Sequence, residues 1–455
     1  MSYSRSALPT QKNQNNAQQI SLFNGFFLRW NALVQSEKVV VLGIVLIPLW
    51  WFWGWSYLLL FLGLGILSHD IYRYGSIRIQ RPSLFVIALV LYGLYDIILT
   101  IFHGLNNSTE LGMRDLIEPA NTIFSPAFIL WYIKTRDIRV RPRTVIWSFS
   151  FLVLLMVAVW AYIFFIHRQA TFLPPRSLFG ALTNKPLQYV PGLGNTNYLI
   201  PFRPEDSSIS GLSRYFYFFH GPESLALVSA FICLLSLEER SKLWKYLLFL
   251  TTFFLLLTSG TRSVWIVLPF ALFIWFLLSA ANSKSSWLFF ACIATTSALV
   301  LMFPVVTDVT TNILAGTAES TSEFRGDSTA VRSEIYRRTY EAILNSSNFQ
   351  LFFGHVVPGE TVLPGYAPAM VGTHSFYLGS LLYIRGILGS VLFLTYWTSL
   401  ISWLIQTRKS RPFGCVMMFL IFSLTFCVMA FESVVMPIML IAVVTQERDY
   451  QLNKF

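Results

Sequence analysis

The stretch TVIWSFSFLVLLMVAVWAYIFFI, residues 144–166, carries no charged side chain. The hydrocarbon core of a bilayer is about 30 Å thick, so a crossing helix needs about 20 apolar residues in a row. This stretch meets that requirement, and others like it lie on both sides. Runs follow at 83–102, 119–134, 222–237, 245–258, 263–281, 286–306, 375–406, 413–430 and 433–446. The run 39–67 is too long for one helix and too short for two comfortable ones, but Pro48 and Gly54 permit a tight hairpin of two short spans. The expected fold class is therefore an all-α polytopic membrane protein with about 12 transmembrane helices. Composition agrees: 55% of residues are hydrophobic and 12% charged, against roughly 25% charged in a soluble protein, which excludes a soluble globular chain.

The first run begins only after a polar segment, 1–38, so no cleavable signal peptide is expected. That segment is rich in Gln, Asn and Ser and reads as a flexible tail, with Phe23, Phe26, Phe27 and Trp30 forming an aromatic patch suited to a membrane surface. The four cysteines, Cys233, Cys292, Cys415 and Cys427, lie in apolar stretches without CxxC spacing, so neither disulfides nor a zinc site are expected.

The net charge of +11 would raise the question of nucleic acid in a soluble chain, but in a membrane chain basic residues fix orientation. Alternate connections hold Arg73, Arg78 and Arg81; Lys134, Arg136, Arg139, Arg141 and Arg143; Arg240, Lys242 and Lys245; Lys284; and Arg408, Lys409 and Arg411. The connection 103–118 on the other side holds only Arg114. The positive-inside rule then places both termini in the cytoplasm, provided 375–406 is one long helix with a kink at Arg385–Gly386 rather than a hairpin.

Two long connections, 167–221 and 307–374, fall on the outer side, and loops this long usually carry function or disorder. The first reads as irregular. The second contains a helical stretch, 328–344, with Glu334–Arg338 and Arg337–Glu341 at i,i+4 spacing. A Pro/Gly-rich stretch, 357–372, follows it. The expected organisation is a tail (1–38), spans one to nine (39–306), a large outer loop (307–374), then three spans and a short tail (375–455).

No phosphate-cradling glycine loop is present, and the six histidines are scattered without metal-ligand spacing, so no metal or cofactor is expected. Attention falls on outer-side arginines placed against electrostatic habit. Arg262 opens the helix beginning near Ser263, where the partial positive charge of a helix N-terminus disfavours a cation unless an anion compensates. Arg214 precedes the helix near Pro222 in a similar way. Arg332, Arg337 and Arg338 lie in the helical part of the large loop, and Arg203 and Arg325 are further candidates. Several guanidiniums at helix entrances suit a diphosphate, whose oxygens match their forked donors. The competing reading for Arg262 is snorkelling to headgroups. For Arg337 and Arg338 it is the ordinary solvated helix charge, since each has a carboxylate at i,i+4. His374 stands at the entry of a long apolar helix, where the dipole favours a neutral, proton-accepting imidazole. A structural histidine is the competing reading there, and His220 and His355 have less support.

Four segments in order, RYFYFFHGPESLA (214–226), SGTRSVW (259–265), STAVRSEIYRRTYEAI (328–343) and GTHSFYL with RGILG (372–378, 385–389), resemble the O-antigen ligase and Wzy-type polymerase superfamily. Its patterns are roughly SRGxW, then RxxxW in a loop helix, then HNxxLxxxxxxGxxG. Here Ser375 stands for the usual Asn, Tyr336 for Trp and Glu223 for Asn. The resemblance covers about residues 200 to 390 by motif. It implies transfer of a glycan from an undecaprenyl-diphosphate donor to an acceptor hydroxyl, at the periplasmic face of the bacterial inner membrane, without metal or nucleotide and with inversion. The acceptor is lipid A-core for a ligase and a second lipid-linked repeat unit for a polymerase. Arg262, Arg332 and Arg214 would bind the diphosphate and His374 would take the acceptor's proton, with Arg203, Arg338 and Tyr336 as secondary candidates. On composition alone, the Pro/Gly-rich stretch before His374 would form a lid over the glycan. A different class, a carrier or flippase for a lipid-linked sugar, would need charges within the spans; Asp96 and Glu432 are the main ones.

Overall fold

The computed structural model describes residues 22–25, 27–75, 80–107, 117–166, 173–189, 195–203, 214–281, 326–362, 369–431 and 434–447. The run 286–306, most of the polar tail, Phe26, Arg78, Arg114, Lys284, Cys292, Arg325, Glu432 and the middle of the proposed lid lie outside them.

The chain is mostly helical. In order come α1 (Gln35–Val45), α2 (Ile47–Trp53), α3 (Leu58–Tyr74), α4 (Leu84–Asn107), α5 (Ser125–Thr135), α6 (Pro142–Ile166), α7 (Leu178–Leu182), α8 (Pro222–Ser236), α9 (Lys242–Ser259), α10 (Arg262–Ala281), α11 (Gly326–Leu344), α12 (Asn348–Phe353), α13 (Ile384–Gln406), α14 (Phe413–Thr425) and α15 (Val435–Val444). Wide π-type turns lead into α5 at Ala120–Phe124 and into α13 at Phe376–Tyr383. Two antiparallel strand pairs are short: β1 (Phe23–Asn24) with β2 (Phe27–Leu28), and β3 (Phe202–Arg203) with β4 (Arg214–Tyr215). The connection 167–221, expected to be irregular, thus contains a short helix and a strand pair.

Among the described residues, four helices are long and apolar enough to cross a membrane: Leu84–Leu105 within α4, α6, α9 and Phe376–Gln406, which is kinked at Gly386. The pair α1 and α2, bent by 58° where Pro48 enters the first turn of α2, makes a fifth if counted as one span. Shorter apolar helices complete the set. α15 has ten residues, about 15 Å of helix, or half the hydrocarbon thickness. Among the described residues, helices of spanning length therefore do not reach twelve.

The break expected at Gly54 is present. Its φ of 99° caps α2, and a Cβ there would lie 2.5 Å from the Thr196 carbonyl oxygen, so the turn depends on glycine. The kink expected at Arg385–Gly386 is also present, as Gly386 leaves helical geometry at φ 66°. Gly354, which ends α12, and Gly386 meet backbone to backbone: a Cβ on Gly354 would stand 2.1 Å from the Ile384 oxygen. Backbone bonds from His355 to Tyr383 and from Val356 to Ile384 lock the outer loop to this kink.

Ile87, Leu91, Leu94, Ile98 and Leu105 leave one face of α4 widely exposed, at the spacing of a helix face. Soluble proteins rarely expose so continuous an apolar surface, and lipid is the solvent that suits it. The opposite face, with Phe85, Leu89 and Tyr92, packs into the core.

The body has two distinct ends. At one, Val140 pairs with Thr445, Phe413 N–H donates to Glu238 at 3.1 Å, Glu447 N–H donates to Ser410 O, and Arg411 donates to the carbonyls of Ala442 and Val443, ending α15 as a cation ends a helix. The basic connections around 136–143, 238–242 and 407–412 thus gather together. α8 runs from the other end to this one and α9 runs back, so Glu223, Ser259 and Arg262 stand at the end away from the basic connections.

Candidate functional site

The far end of the body is built from the N-termini of α8 and α10, the C-terminus of α9, strand β4, helix α11 and the loop before residue 376. β4 places Arg214 almost fully buried. Its Nε donates to the Ser259 carbonyl at 2.8 Å, at the C-terminus of α9, and its Nη2 lies 3.4 Å from Glu223 Oε1. Glu223 sits in the first turn of α8, where a carboxylate favours the helix dipole. Arg332 reaches the same oxygen from α11, its Nη2 at 3.9 Å from Glu223 Oε1. Arg262 is the first residue of α10, and Arg332 and Arg214 both act on it as like charges. Three of the arginines expected in the sequence are therefore neighbours, although they come from three separate elements, β4, α10 and α11.

His374 joins them. Its φ of 69° is left-handed, a conformation uncommon for a residue with a side chain, which costs about 1–3 kcal/mol and persists only where its surroundings impose it. The surroundings are specific. Gly372, at φ 84°, presses on the Tyr383 ring, so that a Cβ would come within 2.4 Å of it. The Gly372 N–H donates to Thr339 Oγ1 of α11 at 2.9 Å. Ser375 caps the following turn, accepting from Leu378 N–H at 3.2 Å, and Phe376 N–H donates to the Phe426 and Met429 carbonyls. The Thr373 hydroxyl lies 2.6 Å from Met370 O and 2.9 Å from His374 Nδ1. With its hydrogen on the carbonyl, the hydroxyl accepts from Nδ1–H, and this tautomer leaves the lone pair on Nε2.

The imidazole is held down to about 4 from its ordinary 6.5, first by burial and then by the Arg332 charge. Burial and a neighbouring guanidinium thus favour the neutral ring, in the same direction as the helix entry read from the sequence.

The secondary candidates lie differently. Arg338 is committed to Glu334 at 2.7 Å and Glu360 at 3.0 Å, and Arg337 to Glu334 and Glu341, as the i,i+4 spacing indicated. Bonds from Arg337 and Arg338 hold the Glu334 carboxyl at about 2. Tyr336 donates its hydroxyl to the Val428 carbonyl at 3.1 Å, joining α11 to the chain after α14. Arg203, the cross-strand partner of Arg214, rests on the rings of Tyr189 and Phe216 and is hydrogen-bonded to the Tyr189 hydroxyl. Asp96, one of the two charges that would speak for transport, is paired with Arg385 at 2.8 Å beside the kink. Glu223 at the centre of the arginines was visible in the sequence only as a departure from a motif; its place in the first turn of a helix that follows Arg214 was the available signal.

A site of this kind offers convergent donors for an anion and a neutral nitrogen for a proton. The chain matches none of the protein-family models compared with it, and no curated protein matches it.

Proposed function

We propose that the chain is an O-antigen ligase-like glycosyltransferase that moves a glycan from undecaprenyl diphosphate to an acceptor hydroxyl at the periplasmic face of the bacterial inner membrane. The observation that carries this reading is the convergence of Arg214, Arg262 and Arg332 with His374 at the end of the helical body away from the basic connections. The residues that resemble the O-antigen ligase and Wzy-type polymerase superfamily supply three of the cationic groups and the base, and the reading extends their topology of about 12 spans with both termini cytoplasmic.

In this mechanism the acceptor oxygen attacks the anomeric carbon. The carbon–oxygen bond to the diphosphate breaks with its electron pair retained by the leaving group, which inverts the anomeric centre. The acceptor's proton passes to His374 Nε2 and from there to water. The arginines stabilise the charge that grows on the departing diphosphate, the part of the transition state where fixed donors act most strongly. They supply the cationic charge a metal otherwise provides, so the scheme calls for none. The same site serves a Wzy-type polymerase, whose acceptor is a second lipid-linked repeat unit rather than lipid A-core.

Reconstitution tests this. The purified protein in liposomes receives a lipid-linked glycan and, in turn, lipid A-core or a second lipid-linked unit, with EDTA present. Transfer to one acceptor is expected, and His374→Ala should lower turnover by roughly 10²- to 10⁴-fold. Unchanged transfer in His374→Ala and Arg262→Ala would overturn the site. A donor that crosses the bilayer without transfer would make the chain a carrier.

A further inference from the structure

The carboxylate among the arginines needs a reason, since an anion-binding site gains nothing from an anion of its own. Glu223 Oε1 lies 3.4 Å from Arg214 Nη2 and 3.9 Å from Arg332 Nη2, between two guanidiniums that come from different elements. It occupies the kind of position a phosphate oxygen takes when two arginines share it. The side chain is part-exposed at 23%, and that of Arg332 at 42%, while Arg214 is anchored by the Ser259 carbonyl. One arginine is thus anchored, the other is more exposed, and the carboxylate stands between them.

We infer that Glu223 is a specificity-determining residue that discriminates between the lipid diphosphate diester that enters the site and the diphosphate monoester that leaves it. The inference rests on the glycosyl-transfer reading above. A diester of diphosphoric acid carries two negative charges. Cleavage of its sugar–oxygen bond leaves the lipid diphosphate with one more ionisable oxygen and therefore more negative charge at neutral pH. A fixed carboxylate within a few ångströms of the bound phosphates opposes a ligand in proportion to the ligand's charge. Glu223 therefore weakens product binding more than donor binding, and it restores a counter-charge to Arg214 and Arg332 as the product departs. Uniformly tight binding of both species would slow release without helping chemistry.

The test measures binding of two probes, undecaprenyl diphosphate and undecaprenyl diphosphoryl N-acetylglucosamine, to the full chain in nanodiscs, for wild type, Glu223→Gln, Glu223→Asp and Arg262→Ala. In Glu223→Gln both probes should bind more tightly, the monoester gaining roughly tenfold more than the diester. Glu223→Asp keeps the charge and should keep the wild-type ratio. If Glu223→Gln weakens both probes, or tightens both by the same factor, Glu223 only braces Arg214 and the inference is wrong. If neither probe binds wild type more tightly than Arg262→Ala, the diphosphate reading itself falls, a result separable from the first because it appears without any change at position 223.

Discussion

His374 combines a strained backbone with a depressed imidazole, and both trace to named neighbours. Thr373, Gly372 and Ser375 hold the left-handed turn, and burial with the Arg332 charge disfavours protonation. The consequence for pH is directional. A base must be neutral to act, and this ring stays neutral until the pH falls to about 4. kcat/KM, which reports the free enzyme, should therefore show no decline attributable to this ring near 6.5 and an acid limb only toward about 4. In Arg332→Ala one of the two depressing causes is gone, so the limb should move up toward the ordinary value. A limb that stays in place in that variant would mean that His374 is not the titrating base. Arg262 and Arg214 before helices and His374 at a helix entry were legible in the sequence as breaks of an electrostatic or positional habit, and Arg332 as the loop-helix arginine without a carboxylate at i,i+4. Glu223 was legible only through its place after Arg214, because a carboxylate in the first turn of a helix is by itself the ordinary choice.

At the scale of elements, α11 holds the histidine loop in place. Thr339 Oγ1 donates to Ile335 O within its own helix and accepts the Gly372 N–H, and the residue is almost wholly buried. Thr339→Val keeps the shape and removes the acceptor, leaving a buried N–H unpaired at a cost of about 1–3 kcal/mol. Because Gly372 lies two residues before His374, turnover should fall in that variant while Thr339→Ser stays near wild type. Equal turnover in Val, Ser and wild-type proteins would show that α11 does not position the loop; thermal unfolding of the same three separates this from loss of fold. The helix over 328–344 and the kink at Arg385–Gly386 were readable from charge spacing and from a Gly within a long apolar run. The wide turns at Ala120–Phe124 and Phe376–Tyr383 were not. Their hydrogen-bond register is imposed from outside, as where Phe376 N–H is drawn to the chain following α14.

At the scale of the whole molecule, basic connections meet at one end. The sequence places basic residues in alternate connections, but which connections meet is a matter of packing, and only the folded chain joins Val140 to Thr445 and Phe413 to Glu238. Those joins bring the connections around 136–143, 238–242 and 407–412 to one surface, while Arg214, Arg332 and His374 belong to the opposite one. If that body sits in the inner membrane as proposed, a cysteine at the exposed Lys409 and one at Tyr340, on the outer part of α11, must face different compartments. In variants whose native cysteines have been replaced, a membrane-impermeant maleimide added to spheroplasts should label Tyr340→Cys at once and Lys409→Cys only after permeabilisation. Labelling of both from outside would mean that the two surfaces do not flank a bilayer. The reverse pattern would place the arginine cluster in the cytoplasm, where the positive-inside rule puts only the basic connections, and the proposed periplasmic transfer would fall with it.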